Sequence, residues 1–216
     1  TNGWVTSGVR KRSKRRPSCW WNVSAERRPK ISERPPTARV FFALWPPAEA
    51  AAQLADVANG LAVQWGGRPT RAETIHLTLA FLGEVAVAEL PALCALARGI
   101  PGRSFAIRLA HFGYWPKNQL LWAGCAAVPG ELGDLQSRLQ GALGEKGYRT
   151  RPPGQGFTPH VSLVRKMRCA PNEGRISELP MPDKLLWPCP RFVLVSSVLT
   201  PEGPNYRIIE AFPLSA

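Results

Sequence analysis

The stretch HLTLAFLG, His76–Gly83, sets a histidine and a hydroxyl two positions apart inside an apolar run. Side chains alternate across a β-strand. His76, Thr78 and Ala80 are therefore expected on one face, and Leu77, Leu79 and Phe81 on the other. The pattern returns as HVSLVRK, where His160 and Ser162 share a face while Val161, Leu163 and Arg165 take the opposite one. Two strands of this kind predict one site between them.

Each motif is preceded by the same order of elements. In ARVFFALWPP, Val40–Leu44 reads as a short buried strand stopped by Pro46 and Pro47. Ala48–Trp65 then reads as a helix, with Leu54, Val57, Ala58 and Leu61 at helical spacing and Gly66 and Gly67 closing it. Before the second motif, Gln119–Ala126 is a strand and Glu131–Gly147 an amphipathic helix striped by Leu132, Leu135, Leu139 and Leu143. Val40 to His76 spans 36 residues and Leu121 to His160 spans 39. Near-equal intervals ending in one pattern predict an internal duplication, with each of two similar lobes supplying a histidine. A further helix is expected at Ala88–Arg98, and further strands at Phe105–Phe112, Arg191–Leu199 and Tyr206–Phe212, the last two joined by a turn at Pro201–Pro204.

The chain has 216 residues, enough to bury a core, and carries a formal charge of +13. Residues 1–39 hold +9 of that charge, so the remainder is only mildly basic. We read residues 1–38 as a basic, disordered extension and 39–216 as one domain of two lobes. The five cysteines are odd in number and widely spaced, without a CxxC pair, as reduced thiols are. No apolar run approaches the roughly 18 residues of a membrane span. A cytoplasmic protein without membrane attachment is expected; nothing in the sequence fixes oligomeric state, and a monomer is the working expectation.

Three histidines exist in the chain, and two fall in matching contexts. A facing pair of imidazoles can hold one neutral ring as base and one protonated ring as acid, as phosphodiester cleavage requires. Thr78 and Ser162 could hydrogen-bond the non-bridging phosphate oxygens, and Arg165 and Lys166 could meet a phosphate. Phe41 and Phe42, with Phe42 the candidate of choice, and the aromatics around Tyr114 and Trp115 could stack on a base. His111 lacks a hydroxyl two residues on and reads as structural. The motifs supply two ligands at most, with no carboxylate or cysteine cluster beside them, so no metal site is expected. A GxSxG elbow and a GxxxxGK[ST] loop are both absent.

Together, RVFFALWPP, HLTLAFLGEV and FTPHVSLVRK resemble the 2H phosphoesterase superfamily, and within it the RNA 2′,3′-cyclic phosphodiesterases, also termed 2′-5′ RNA ligases. The resemblance covers about residues 39–214. It implies an α+β fold, bilobal with pseudo-twofold duplication, whose antiparallel sheets line a central cleft with helices packed outside, and it implies no metal or cofactor. By position, His76 would be the proton donor to the departing ribose oxygen and His160 the proton acceptor that activates water. Thr78 and Ser162 would hold the phosphate, and Arg165 matches a basic position after the second motif. The implied partners are RNA with 2′,3′-cyclic phosphate ends or small cyclic nucleotides. The reaction would leave a 2′-phosphate, and its reversal would be an ATP-independent ligation. An RNA-end-binding module with little turnover, and a relative acting on a small cyclic nucleotide, are the alternatives. The segments Gly113–Gln119 and Arg149–Gly156 would contact a longer RNA but carry no readable code.

Overall fold

A computed structural model describes residues 1, 35–125, 127–150, 156–169, 176, 185–201 and 203–216. Residues 2–34, most of the expected disordered extension, lie outside these, as do 151–155 in the second expected RNA-contacting segment. The chain from Pro35 to Ala216 is one compact unit. Its first strand, β1, starts at Thr37, before the domain boundary expected at residue 39.

β1 (Thr37–Leu44), α1 (Ala48–Trp65), the two-residue β2 (Arg68–Pro69) and β3 (Leu77–Ala86) come first. They are followed by α2 (Leu90–Arg98), β4 (Phe105–Trp115), β5 (Leu120–Cys125), α3 (Gly130–Glu145) and β6 (His160–Arg165). β7 (Leu186–Cys189), β8 (Arg191–Thr200) and β9 (Gly203–Pro213) complete the described elements. α1 has the bounds read from its composition, and Gly66 closes it in the left-handed region, at φ 72°. The leucine stripe of α3 is buried throughout, each side chain at most 1% exposed, and such burial contributes roughly 1.5–3 kcal/mol per residue.

Among the described residues nine strands form one curled antiparallel sheet in the order β7-β4-β5-β6-β3-β1-β8-β9, with β2 on the far end of β6. The order is symmetric about its middle. Each motif strand pairs with the strand that precedes its helix, β3 with β1 and β6 with β5, and two more strands extend each side. The halves meet where Leu77 of β3 pairs with Val161 of β6. The helices cover one face of the sheet in exchanged fashion, α1 packing over β6 and α3 over β3. This is the duplicated α+β arrangement expected from the repeat.

Strict alternation fails at a matching place in each motif strand, and β3 carries a second irregularity further on, between the pairs Val40–Gly83 and Phe41–Phe81. The β1–β3 register shifts between Phe42 and Ala43, so that Thr78 faces Ala43 while Ala80 faces Phe42, and Leu79 is the extra residue of a bulge. The β5–β6 register shifts in the same way, with Ser162 opposite Trp122 and Val164 opposite Leu121, making Leu163 the extra residue. Both bulges lie three residues after the histidine. Each resets the faces. Ala80, expected beside His76, is buried in the core, while Phe81, expected with Leu77 and Leu79, is 41% exposed. Val164 goes to the core and Arg165 emerges on the face that carries His160 and Ser162.

Candidate active site

Each histidine sits in the same local frame. In TIHLT, His76 Nδ1 lies 2.7 Å from the Thr74 carbonyl oxygen. In TPHVS, His160 Nδ1 lies 2.8 Å from the Thr158 carbonyl oxygen. A carbonyl oxygen only accepts, so Nδ1 carries the proton in both neutral rings and Nε2 is left as the titrating nitrogen. Thr74 is held in turn by its own hydroxyl, which donates to the Arg71 carbonyl at 2.9 Å. Antiparallel register through the Leu77–Val161 pair sets His76 across from Ser162 and Thr78 across from His160. The two imidazoles and two hydroxyls thus make a diagonal square on one face of the sheet.

The rings are dressed differently. Trp45 stacks on His76 with centroids 5.6 Å apart and planes 10° apart, Phe41 lies at 4.9 Å, and Tyr206 meets the ring edge-on at 5.2 Å. His160 meets Trp115 edge-on at 4.5 Å and Trp122 at 6.2 Å. Trp122 lies over two glycines: a β-carbon on Gly113 would come within 2.2 Å of its ring, and one on Gly124 within 2.6 Å. Those positions must stay bare for the ring to lie flat against the strands.

Enclosure sets the charge of the pair. Burial pushes His76 down from 6.5 to about 4, the hydrogen bond to Thr74 opposes this, and the charges of Arg165 and His160 push further down. Burial also lowers His160, with Thr158 opposing and Arg165 adding to the fall. In the ligand-free protein at neutral pH both rings are therefore neutral. Because the unfolded chain binds a proton near 6.5 and folded His76 does not until about pH 4, stability is full above 6.5 and falls as the pH drops between these values. The loss expected is about 3 kcal/mol. Urea unfolding at pH 7 and pH 4 checks this, with His76→Gln expected to flatten the difference; an equal pH dependence in the variant would refute it.

A cavity of about 350 Å³ in front of His76 is lined by His76, Thr78, Arg165, Phe41, Phe81 and Tyr206, among others. Of the residues read from sequence, His76, Thr78 and Arg165 share this cavity, and His160 and Ser162 flank it on the same sheet face. Phe42 does not belong. It is fully buried, its ring between Phe192 and Phe212, and no base can reach it. The β1 ring on the cleft side is Phe41. Gly113, expected in an RNA-contacting loop, lies within β4. Trp45 and Tyr206 were not anticipated, nor were Thr74 and Thr158, although the repeat TxHx[ST] was there to be read. Among the described residues no three His, Cys, Asp or Glu side chains group as metal ligands, and no helix is long and apolar enough to cross a membrane.

A family profile described as LigT like Phosphoesterase matches residues 44–122. An RNA 2′,3′-cyclic phosphodiesterase of Thermus thermophilus is 33% identical over 183 residues, which cover 82% of this chain and 90% of that protein. The chain belongs to the 2H phosphoesterase superfamily, in its RNA 2′,3′-cyclic phosphodiesterase (LigT) family. Solved structures of this family agree with the fold. Apo LigT of Escherichia coli superimposes with a TM-score of 0.73 at 29% identity, covering 83% of this chain and 99% of that one. The same protein complexed with 3′-AMP gives 0.71 at 27% identity, covering 84% and 100%. Membership in the LigT family carries phosphodiester hydrolysis as the general activity.

Proposed function

We propose that this chain opens RNA 2′,3′-cyclic phosphate ends to 2′-phosphates by two-histidine acid–base catalysis without a metal, and that the reverse reaction with a 5′-hydroxyl RNA end gives a 2′-5′ linkage without ATP. The observation that carries this reading is the pair of imidazoles anchored by identical Nδ1 contacts to Thr74 and Thr158, each paired with a hydroxyl, on either side of Leu77–Val161. The relatives' name, RNA 2′,3′-cyclic phosphodiesterase, and the 3′-AMP complex of LigT support the substrate class.

The roles follow from what each Nε2 can exchange. His160 takes a proton from water as the oxygen adds to phosphorus. The bond from phosphorus to the 3′ oxygen breaks, and His76 gives its Nε2 proton to that oxygen. One water is consumed, and a monoester remains on the 2′ oxygen. Thr78, Ser162 and the Arg165 guanidinium hold the equatorial oxygens, where charge builds in the transition state. Because both rings are neutral in the free protein, the anionic phosphate must itself favour an imidazolium at His76, offsetting burial and Arg165.

The deciding experiment is incubation, in EDTA, with a short RNA ending in 2′,3′-cyclic phosphate, resolving 2′- from 3′-phosphate products. A 2′-phosphate product is expected. A 3′-phosphate product would overturn the leaving-group assignment, and binding without product would leave an RNA-end-holding module.

A further inference from the structure

Beside the cleft runs a second groove of about 210 Å³. It shares Arg165, Pro204 and Tyr206 with the cavity in front of His76. Its own wall is β2, a strand of two residues that pairs with the far end of β6 and sets Arg68 directly opposite Arg165. Like charges facing each other across a strand pair are destabilising. Yet among the described residues neither of them, nor the neighbouring Lys166, has an acidic partner, since the only ion pairs are Arg71–Glu73 and Arg98–Glu210. The groove's described lining contains four cationic side chains and no carboxylate. It also contains Thr70, whose hydroxyl oxygen is buried and lacks a hydrogen-bond partner among the described residues.

The backbone is strained to make this wall. Gly67 sits at φ 108°, and a β-carbon there would lie 2.8 Å from a Val164 methyl and 2.9 Å from the Arg165 carbonyl oxygen. Lys166 is itself held in the left-handed region at φ 53°, which is uncommon away from glycine. Close approach at Gly67 and the Thr70 N–H bond to the Leu163 carbonyl, 2.7 Å, hold β2 against β6. Opposed cations at a continuation of the catalytic cleft are compatible with stability when an anion lies between them.

We infer that this groove is a second phosphate subsite: Arg68 and Lys166 receive the phosphodiester on the 5′ side of the terminal nucleotide while its 2′,3′-cyclic phosphate lies between the histidines. The inference rests on the function proposed above and narrows its substrate to RNA of at least two nucleotides. A cyclic mononucleotide ends before it reaches the groove.

The test compares kcat/KM for a 2′,3′-cyclic mononucleotide, a dinucleotide ending in the cyclic phosphate, and the same dinucleotide with a neutral methylphosphonate linkage. The phosphodiester dinucleotide is expected to exceed the mononucleotide by about 10-fold or more, one to two charge-assisted hydrogen bonds. The methylphosphonate should lose that gain. Arg68→Gln should lose it too while turning over the mononucleotide at the wild-type rate, with the slope of log kcat/KM against log salt for the dinucleotide shallower by about 0.7. Equal rates on mono- and dinucleotide, or a gain that survives the methylphosphonate, overturn the subsite and leave hydrolysis standing. If no cyclic phosphate is turned over, the functional proposal fails. Calorimetric binding of the 2′-phosphorylated dinucleotide, phosphodiester against methylphosphonate, then decides the groove: tighter binding of the charged linkage supports it and equal binding overturns it.

Discussion

His76→Ala and His160→Ala are each expected to lower kcat on a cyclic-phosphate RNA end by about 10²- to 10⁴-fold, and the double variant to cost little more than the worse single one, because acid and base act as a unit. Circular dichroism and urea midpoints at pH 7 should show the fold retained. The pH dependence gives a sharper test. The proposed acid–base mechanism needs one proton on the pair, and both rings titrate below 6.5, His76 at about 4. The kcat/KM profile of the wild type, which reports the free enzyme, should therefore be a bell with both limbs below 6.5. That bell belongs to the pair as a whole. The productive arrangement has His76 charged, a form that burial and the Arg165 charge disfavour until an anion arrives. The kcat profile, which reports the bound complex, should be displaced upward. A kcat/KM maximum at or above pH 7 would contradict the desolvated pair, and near-wild-type rates in both alanine variants would remove the histidines from the chemistry.

Arg165→Met is expected to cost about 10²- to 10³-fold in kcat/KM, the effect of losing a donor aimed at developing phosphate charge. It has a second, independent readout. The Arg165 charge helps to hold both histidines low, so its removal should move both rings upward in an NMR titration. Arg165→Lys separates the two effects. It keeps the charge and hence the low titration, yet loses the planar fork that meets two phosphate oxygens, so its rate should fall while its histidines stay put. Unmoved rates in the Met variant, or unmoved imidazole titrations, would place Arg165 outside the site.

The sequence made the duplication legible because the elements that build it have strong local signals. α1 is a run of alanines ended by two glycines, α3 a stripe of four leucines, and the two motif strands carry the same spacing. The face of a residue beyond the histidines was not legible, since a bulge adds one residue without altering composition. Leu79 and Leu163 look like any other apolar strand residue, yet they decide that Ala80 and Val164 go inward and Phe81 and Arg165 outward. Phe42 and Phe41 were indistinguishable for a related reason. All of Val40–Leu44 is buried, the core claiming Val40, Phe42 and Leu44 while a smaller cluster with Trp45 and Tyr206 claims Phe41 and Ala43. An apolar run covered on both faces shows no alternation. β2, at two residues, is too short for any periodicity, and only the paired glycines before it hint at the close approach.

The strand order also bears on how the protein emerges from the ribosome. β1, which carries Phe41 and leads to Trp45, pairs on one side with β3 and on the other with β8, and Tyr206 arrives only with β9. His76 is thus synthesised long before the wall that desolvates it. While the nascent chain lacks β8 and β9, the β1 edge is bare and Trp45 and Phe41 have no Tyr206 to close on, so a half-made molecule exposes a sticky strand edge around a hydrated imidazole. Catalytic competence is a property of the finished sheet, acquired late and all at once, and the nascent chain's need for protection from self-association is greatest just before it.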